Sequence, residues 1–304
     1  MNNFQMNNMS HSTTDLTDDR VAVAQQKTDT LIQEVREQLQ AQTFDFNNLE
    51  LMRQMVESFS DSRGMTRLAI AETFGEMIGK PATPVLLEGL ADHPNPVVRR
   101  ACAKTLTLIA DPSAIAGLVH ALLNDQDTVV QGSAVGALAR TGKPAIPCLL
   151  EILQTPDHSE SIKGHAAWAL AFMGVEAKES LYQAFSSDSD EVRAAVVGAI
   201  ANIVANEPEE QSFQILLQAL DDSAEDVRSE AAAVLGNLAY QPAVPQLIDL
   251  LQHSSAQTRK SAALALMKIN DKTALEPLKS ALAQESEGDL QPVMQLAVNQ
   301  LKRL

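Results

Sequence analysis

Residues 98–106 read VRRACAKTL, and this short pattern decides the fold because it recurs along the chain. Each copy opens on an apolar residue or threonine, here called the anchor, and most copies continue with a basic residue and a run of small residues. An apolar residue follows eight places after the anchor. The anchors are Thr66, Val98, Val130, Ile162, Val192, Val227, Thr258 and Val293. They lie 30 to 35 residues apart, so the chain consists of internal repeats.

A second element recurs between the anchors, as in PAIPCLLEIL at residues 144–153 and PAVPQLIDLL at residues 242–251. Its leucine-type residues fall at i, i+3 and i+4, which is the spacing of one helix face. No segment alternates apolar and polar residues as a half-buried strand would. The sequence therefore predicts an all-α fold, an α-solenoid of seven to eight short helix pairs over residues 61–304, because a single pair cannot bury its apolar face alone.

The N-terminal part differs from the repeats. Residues 1–18 are rich in Asn, Met, Ser and Thr, a composition that favours a disordered tail. Residues 19–60 contain two amphipathic stretches, at 20–42 and 47–59. We expect these two helices to cap the first repeat, whose apolar end would otherwise face water.

Composition excludes several classes of protein. The 304 residues carry 39 acidic and 23 basic side chains, a net charge of -16, which argues against nucleic-acid binding. The sequence has no apolar run long enough to span a membrane, and its N-terminus lacks the features of a secretory signal. The two cysteines, Cys102 and Cys148, cannot form a disulfide framework, so we expect a cytoplasmic protein.

The repeat unit resembles the HEAT repeat, in the short form found in cyanobacterial phycobilisome lyase-like (E/F-type phycobilin lyase) proteins. The copies anchored at Val98, Val192 and Val227 fit best, whereas Gln131 replaces the basic residue of its copy. Residues 164–174, GHAAWALAFMG, are similar to a helix of E-type lyase subunits. The resemblance implies bilin attachment or removal on phycobiliproteins, or phycobilisome assembly and turnover, through the concave face of the solenoid.

The same resemblance implies a protein partner, either a phycobiliprotein subunit or a related HEAT-repeat subunit, and a phycobilin bound transiently in place of an intrinsic cofactor. Any lyase activity would need that partner subunit. The alternative is a non-enzymatic scaffold or adaptor that interacts with an A-type iron–sulfur carrier and shares its cluster. Deoxyhypusine hydroxylase also uses these repeats, but this chain has no His-Glu pair.

No motif of a nucleophile, a phosphate-binding loop or a metal site occurs in the sequence, so we predict no catalytic residue and no metal ligand. Helix geometry instead places positions two, three and six after each anchor away from the core. The residues at these positions that we predict to bind on the concave face are Trp168, His165, Lys104, Glu72, Arg100 and Glu230.

Two interpretations of Trp168 and His165 stay open at this point. Trp168, the only tryptophan, could anchor a partner side chain or a flat tetrapyrrole, or it could fill a gap between helices while His165 is a hydrogen-bonded polar residue. Glycines in the same helices, such as Gly164 and Gly198, have two readings as well. Close helix packing is favoured over a cleft left open for a ligand.

The basic residues after the anchors also allow two interpretations, an anion-binding track or a structural ladder. We favour the ladder, in which each cation binds the inter-repeat Asp and neighbouring loop carbonyls. Its members are Arg67, Arg99, Lys163, Arg193, Arg228 and Arg259. For Cys102 and Cys148 we favour core packing over a role as a bilin or cluster ligand.

Overall fold

The computed structural model describes residues 11–303, with side chains from residue 20 onward. The chain forms two compact units, Met1–Thr141 and Gly142–Leu304. Within the described residues each unit consists of helices, short helical turns and loops, and contains no strand. The all-α prediction is therefore confirmed.

The first unit contains helices α1 to α7. They span α1 His11–Gln40, α2 Leu49–Glu57, α3 Gly64–Glu72, α4 Thr83–Asp92, α5 Pro96–Ile109, α6 Ile115–Asn124 and α7 Thr128–Thr141. A π-helical turn, Thr73–Ile78, extends α3.

The second unit contains helices α8 to α17. They span α8 Ile146–Gln154, α9 Glu160–Met173, α10 Lys178–Ala184, α11 Asp190–Asn206, α12 Glu210–Ala219, α13 Glu225–Asn237, α14 Val244–Leu250, α15 Ala256–Ile269, α16 Leu275–Gln284 and α17 Gln291–Leu301.

Helices α2 to α17 form eight consecutive pairs within the described residues. In the first unit the first helices of the pairs, α2, α4 and α6, pack on one another, and so do the second helices, α3, α5 and α7. In the second unit α9, α11, α13, α15 and α17 form a second-helix layer in the same way. This repeated stacking of helix pairs is the α-solenoid that the sequence predicts.

The core of each unit contains the anchor stripe, which consists of the anchor and the positions four and eight after it. Val98, Cys102 and Leu106 of α5 are buried, and they occupy the anchor and the positions four and eight after it. Ile162, the anchor of α9, is buried as well. The positions four and eight after the anchor are buried in all eight repeats, whereas the anchors Thr66 and Val293 are half-buried. This shared pattern explains the nearly constant spacing, since a shift by one residue would turn the apolar stripe of the helix away from its neighbours.

Polar residues begin many of the second helices. Asn95 accepts a hydrogen bond from the Val97 amide at 2.9 Å, and Asp127 accepts one from the Val129 amide at 2.8 Å. Ser189 caps α11 in the same manner. These side chains satisfy amides that have no partner inside the helix.

The N-terminal region differs from its predicted division. Helix α1 begins at His11, so residues 11–18, expected to be disordered, are helical, and residues 1–10 of the predicted tail lie outside the described residues. Extending an established helix by one residue costs far less than nucleating it, which explains the longer α1. Helix α2, expected to be part of the cap, is the first helix of the first pair and packs on α4. Among the described helices only α1 covers the end of the stack, where Ile32 and Val35 are buried.

Candidate functional site

The second helices share one solvent-exposed face. It is formed by the residues one before the anchor and two, six and ten after it, because these positions fall opposite the anchor stripe at 3.6 residues per turn. We call it the second-helix face. In α9 it consists of Ser161, Gly164, Trp168 and Phe172, all exposed.

Trp168 and Phe172 form an aromatic shelf on this face of α9. Their ring centroids are 5.4 Å apart and their planes are inclined by 27°, a stacked arrangement that a spacing of four residues on a helix permits. Trp168 remains 50% exposed and Phe172 55% exposed. The interpretation that Trp168 fills a gap between helices therefore fails. An exposed pair of large aromatic rings is typical of a binding surface.

An open groove of about 400 Å³ adjoins the shelf at the C-terminal end of α9. Its polar lining includes Glu176 and the carboxamides of Asn202 and Asn206. The Asn202 side chain donates a hydrogen bond to the Ala171 carbonyl at 3.1 Å, so α11 and α9 are joined beside the aromatic rings. The groove thus places a few polar groups beside the two exposed aromatic rings.

Glycines next to the aromatic shelf leave space that a side chain would otherwise fill. A Cβ built on Gly164 would meet no atom within 4 Å, so close packing does not explain this glycine. A Cβ on Gly198 of α11 would lie 3.1 Å from Glu230 Oε1, and this glycine makes room for a side chain of α13. The interpretation of close helix packing is therefore wrong for Gly164.

Glu230, three residues after the anchor Val227, places a carboxyl group next to this face, beside Gly198 of α11. Although much of its side chain is exposed, the carboxyl end lies against Gly198, and desolvation there raises the pKa of Glu230. Within the described residues no cation or hydrogen-bond donor faces it at bonding distance. Such a carboxyl group is available as an acceptor for a ligand with N–H groups.

His165 is half-buried on α9, one turn before Trp168. Its Nδ1 atom is buried and has no hydrogen-bond partner among the described groups. The interpretation of His165 as a hydrogen-bonded polar residue is therefore wrong for this atom. A buried nitrogen without a hydrogen-bond partner lowers the stability of the protein.

A family model described as HEAT repeats matches residues 50–139, 115–201 and 213–297. The chain belongs to the HEAT-repeat family. It is also 36% identical over 258 residues to "Bilin biosynthesis protein MpeU" of Synechococcus sp. (strain WH8020), a match that covers 84% of this chain and 86% of that protein. This HEAT-repeat protein is thus a member of the phycobilin lyase-like group, and the iron–sulfur adaptor alternative gains no support from this relative.

Solved structures with similar folds include the complex of CpcE and CpcF of phycocyanin lyase from Nostoc sp. PCC7120, at 19% identity and a TM-score of 0.34. That match covers 84% of this chain and 94% of the other. Importin beta is similar at 15% identity and a TM-score of 0.49, over 83% of this chain and 41% of the other.

The predicted binding residues of the HEAT-repeat protein fall into two groups. Trp168, His165 and Glu230 belong to the second unit, where α11 packs between α9 and α13. Glu72, Arg100 and Lys104 belong to the first unit, on α3 and α5. Phe172 was missed from the sequence, although its position four residues after Trp168 on an amphipathic helix was a usable signal.

The basic residues after the anchors contact neighbouring turns. Arg193 Nε and Nη2 donate to the two carboxylate oxygens of Asp222 at 2.8 and 2.9 Å, and its Nη1 donates to the carbonyls of Ser187 and Asp188. The Arg193 guanidinium holds the pKa of Asp222 below its usual range. A guanidinium so occupied has little capacity left to bind an external anion.

The other ladder members are arranged in related ways. Arg99 pairs with Asp125 and Arg259 with Glu285, each through two hydrogen bonds. Lys163 binds Glu191 at 3.0 Å. The remaining two, Arg67 and Arg228, donate to loop carbonyls, and Arg228 also reaches Thr258.

The cysteines of the HEAT-repeat protein are shielded from solvent to different degrees. Cys102 is fully buried and Cys148 half-buried, and burial raises the pKa of both thiols. Cys148 Sγ also donates to the Ala145 carbonyl at 2.9 Å. Thiols in this state are poor nucleophiles and poor metal ligands.

The described part of the chain lacks two further features. No group of His, Cys, Asp or Glu side chains there could hold a metal ion. No helix in that part is both long and apolar enough to cross a membrane.

Proposed function

We propose that the protein binds a phycobilin on the aromatic shelf of α9 and acts on phycobiliproteins, in bilin attachment or removal or in phycobilisome assembly and turnover. The observation that carries this proposal is the stacked aromatic pair exposed on the second-helix face. It is supported by a relative named for bilin biosynthesis that is 36% identical over most of both chains. A fold alone would not support it, because the HEAT architecture serves many functions.

The chemistry of a bilin suits the shelf. Its conjugated pyrrole rings are flat and apolar on their faces, so a half-exposed indole and phenyl ring offer them stacking surfaces. Its pyrrole N–H groups are donors at the edge of the plane, and the Glu230 carboxyl group is an acceptor without a partner among the described groups. The low floor at Gly164 leaves space for a plane to lie beside Trp168.

The bilin is a transient substrate in this proposal, and a protein partner completes the site. The second-helix face offers acceptors and stacking surfaces, whereas both thiols have raised pKa values and neither lies on the shelf. Covalent chemistry on the bilin therefore depends on groups of the partner. A phycobiliprotein subunit or a related HEAT-repeat subunit is the partner that we propose.

The proposal is tested by mixing the purified protein with a free phycobilin, first alone and then with an apo-phycobiliprotein subunit. Trp168 is the only tryptophan, so its fluorescence should be quenched by a bilin stacked on the shelf, and the bilin absorbance should change in parallel. With the subunit present, we expect faster bilin transfer to or from that subunit than without the protein. Absence of both effects would refute the proposal.

The control variant removes an exposed apolar side chain elsewhere in the same unit. Leu296 of α17 is 56% exposed and lies away from α9 in the repeat order, so Leu296→Ala should bind the bilin as the unchanged protein does. Equal loss of binding in this variant would show that the bilin adsorbs to apolar surface in general.

A further inference from the structure

A second surface lies in the first unit, on the second-helix face of α3, α5 and α7. The residue before each anchor there is apolar and exposed: Met65 at 75%, Val97 at 45% and Val129 at 48%. In the second unit the first four such positions hold Ser161, Glu191, Asp226 and Gln257. The apolar row is therefore a property of the first unit, and a row of exposed apolar side chains is typical of an interaction surface.

Cations border the apolar row. Arg100 and Lys104 lie on the same exposed face of α5, and Arg140 lies on that of α7. None of the three forms an ion pair with another described residue, in contrast to Arg99 beside them, which is held by Asp125. The corresponding positions of α5 carry no acidic residue, and Arg140 lies about 16 Å along α7 from Val129. In a chain with a net charge of -16, the two unpaired cations of α5 beside the row select an acidic partner.

The second-helix face of α7 is flat. Gly132 and Gly136 occupy it, and a Cβ on either would meet no atom within 4 Å. Each glycine lowers the stability of the helix by about 1 kcal/mol relative to alanine, and packing inside the protein does not require either of them. The two glycines therefore leave a shallow groove on α7, bordered by Arg100 and Lys104 of α5, in which the backbone of another helix could lie.

The spacing of the row fits a helix that lies across the three repeats. Adjacent packed helices are about 8–10 Å apart, so equivalent residues on successive second helices are separated by a similar distance. Residues seven apart on one side of an α-helix are separated by about 10.5 Å. Three apolar residues at this interval would contact Met65, Val97 and Val129 in turn.

We propose that this surface, defined by Met65, Val97, Val129, Arg100 and Lys104, binds an acidic amphipathic helix of a partner protein. The apolar stripe of that helix lies on the row, and its carboxylates pair with the two cations of α5. The surface belongs to the first unit and is independent of the aromatic shelf, so it stands or fails separately from the bilin proposal.

The test uses a synthetic, end-blocked helical peptide of about 18 residues, with three leucines seven apart and glutamates beside them. A matched peptide carries lysine in place of each glutamate. Fluorescence anisotropy with the full chain should show saturable binding of the acidic peptide that weakens as salt is raised, and at least tenfold weaker binding of the basic peptide. Equal affinity for both peptides, or no binding of either, would overturn the proposal.

Two charge-reversal variants locate the site. Arg100→Glu with Lys104→Glu should weaken binding of the acidic peptide at least tenfold, whereas Lys260→Glu with Lys272→Glu, at exposed lysines of the second unit, should leave it unchanged. All four side chains are exposed, so both proteins should keep the circular dichroism and melting temperature of the original chain. Equal loss in both variants would indicate a general charge effect and overturn the assignment. Sedimentation that shows self-association through Arg100 and Lys104 would assign the surface to a second copy instead.

Discussion

Replacement of Trp168 by alanine should weaken bilin binding by about ten- to a hundredfold. A buried tryptophan removes roughly 150–250 Å² from water, and Trp168 exposes half of its surface, which leaves about 100 Å² for a ligand to cover. At about 25 cal/mol per Å² this area contributes roughly 2.5 kcal/mol. A ligand that covers only part of it would gain about 1.5 kcal/mol, and each 1.4 kcal/mol corresponds to about a tenfold change in affinity.

The assay is a titration followed by bilin absorbance, because the variant lacks the fluorescent indole. Phe172→Ala should shift the affinity in the same direction, since its ring supports Trp168 at 5.4 Å. Circular dichroism and thermal unfolding must show that Trp168→Ala keeps its helices, because the half of the ring that is buried also packs on the protein. An unchanged bilin affinity in a folded Trp168→Ala protein would refute the stacking argument.

Three further predictions concern stability. Arg193→Ala should lower the free energy of unfolding by about 3–5 kcal/mol, because it leaves the carboxylate of Asp222 without its cation in a site only 9% exposed. The control Arg100→Ala removes an exposed and unpaired cation, so the free energy of unfolding measured by denaturant titration should change by less than about 0.5 kcal/mol. The Arg259 guanidinium lowers the pKa of Glu285 to about 2, below its ordinary unfolded-state value. The stabilisation that this Arg259–Glu285 ion pair provides is therefore complete above the unfolded pKa of about 4.3 and is lost as the pH falls towards 2. Glu285→Gln should thus be less stable than the original chain at pH 7 and show a weaker fall in melting temperature between pH 5 and 2, and parallel curves would contradict this. Gly164→Ala should raise the free energy of unfolding by about 1 kcal/mol, since the added Cβ meets no atom within 4 Å. A lower free energy of unfolding in a denaturant titration would show that the space beside Gly164 is not open.

The sequence sufficed for the architecture because the fold repeats one local rule. Burial of Val98, Cys102 and Leu106 on one helix stripe follows from periodicity alone, and eight copies of that stripe leave stacking of helix pairs as the way to cover it. The role of α2 could not be found in this way. Residues 47–59 are amphipathic whether the helix caps the stack or belongs to the first pair, and only its packing on α4 separates the two.

Side-chain exposure on the second-helix face was harder to predict than the core. Helix geometry places Trp168 away from the anchor stripe, but it does not determine whether a neighbouring helix covers the ring. That depends on the residues of the neighbouring helix, and the equivalent position of α11 is Gly198, which has no side chain to cover the ring. Glu230 shows the same limit, because its raised pKa arises from its position against a glycine of another helix.

The glycines connect the two proposed surfaces. A glycine in a helix interior needs a physical reason, since it costs about 1 kcal/mol relative to alanine, and close packing supplies that reason at Gly236, where a Cβ would lie 2.8 Å from the Ala265 backbone. At Gly136 and Gly164 no protein atom lies within 4 Å of a Cβ. Both positions belong to the second-helix face, beside the cations of α5 in the first unit and beside the aromatic shelf in the second. In each unit a glycine thus lowers helix stability at the place where we propose that another molecule binds. This is expected if glycine is needed at these positions for access to the face and not for packing inside the protein.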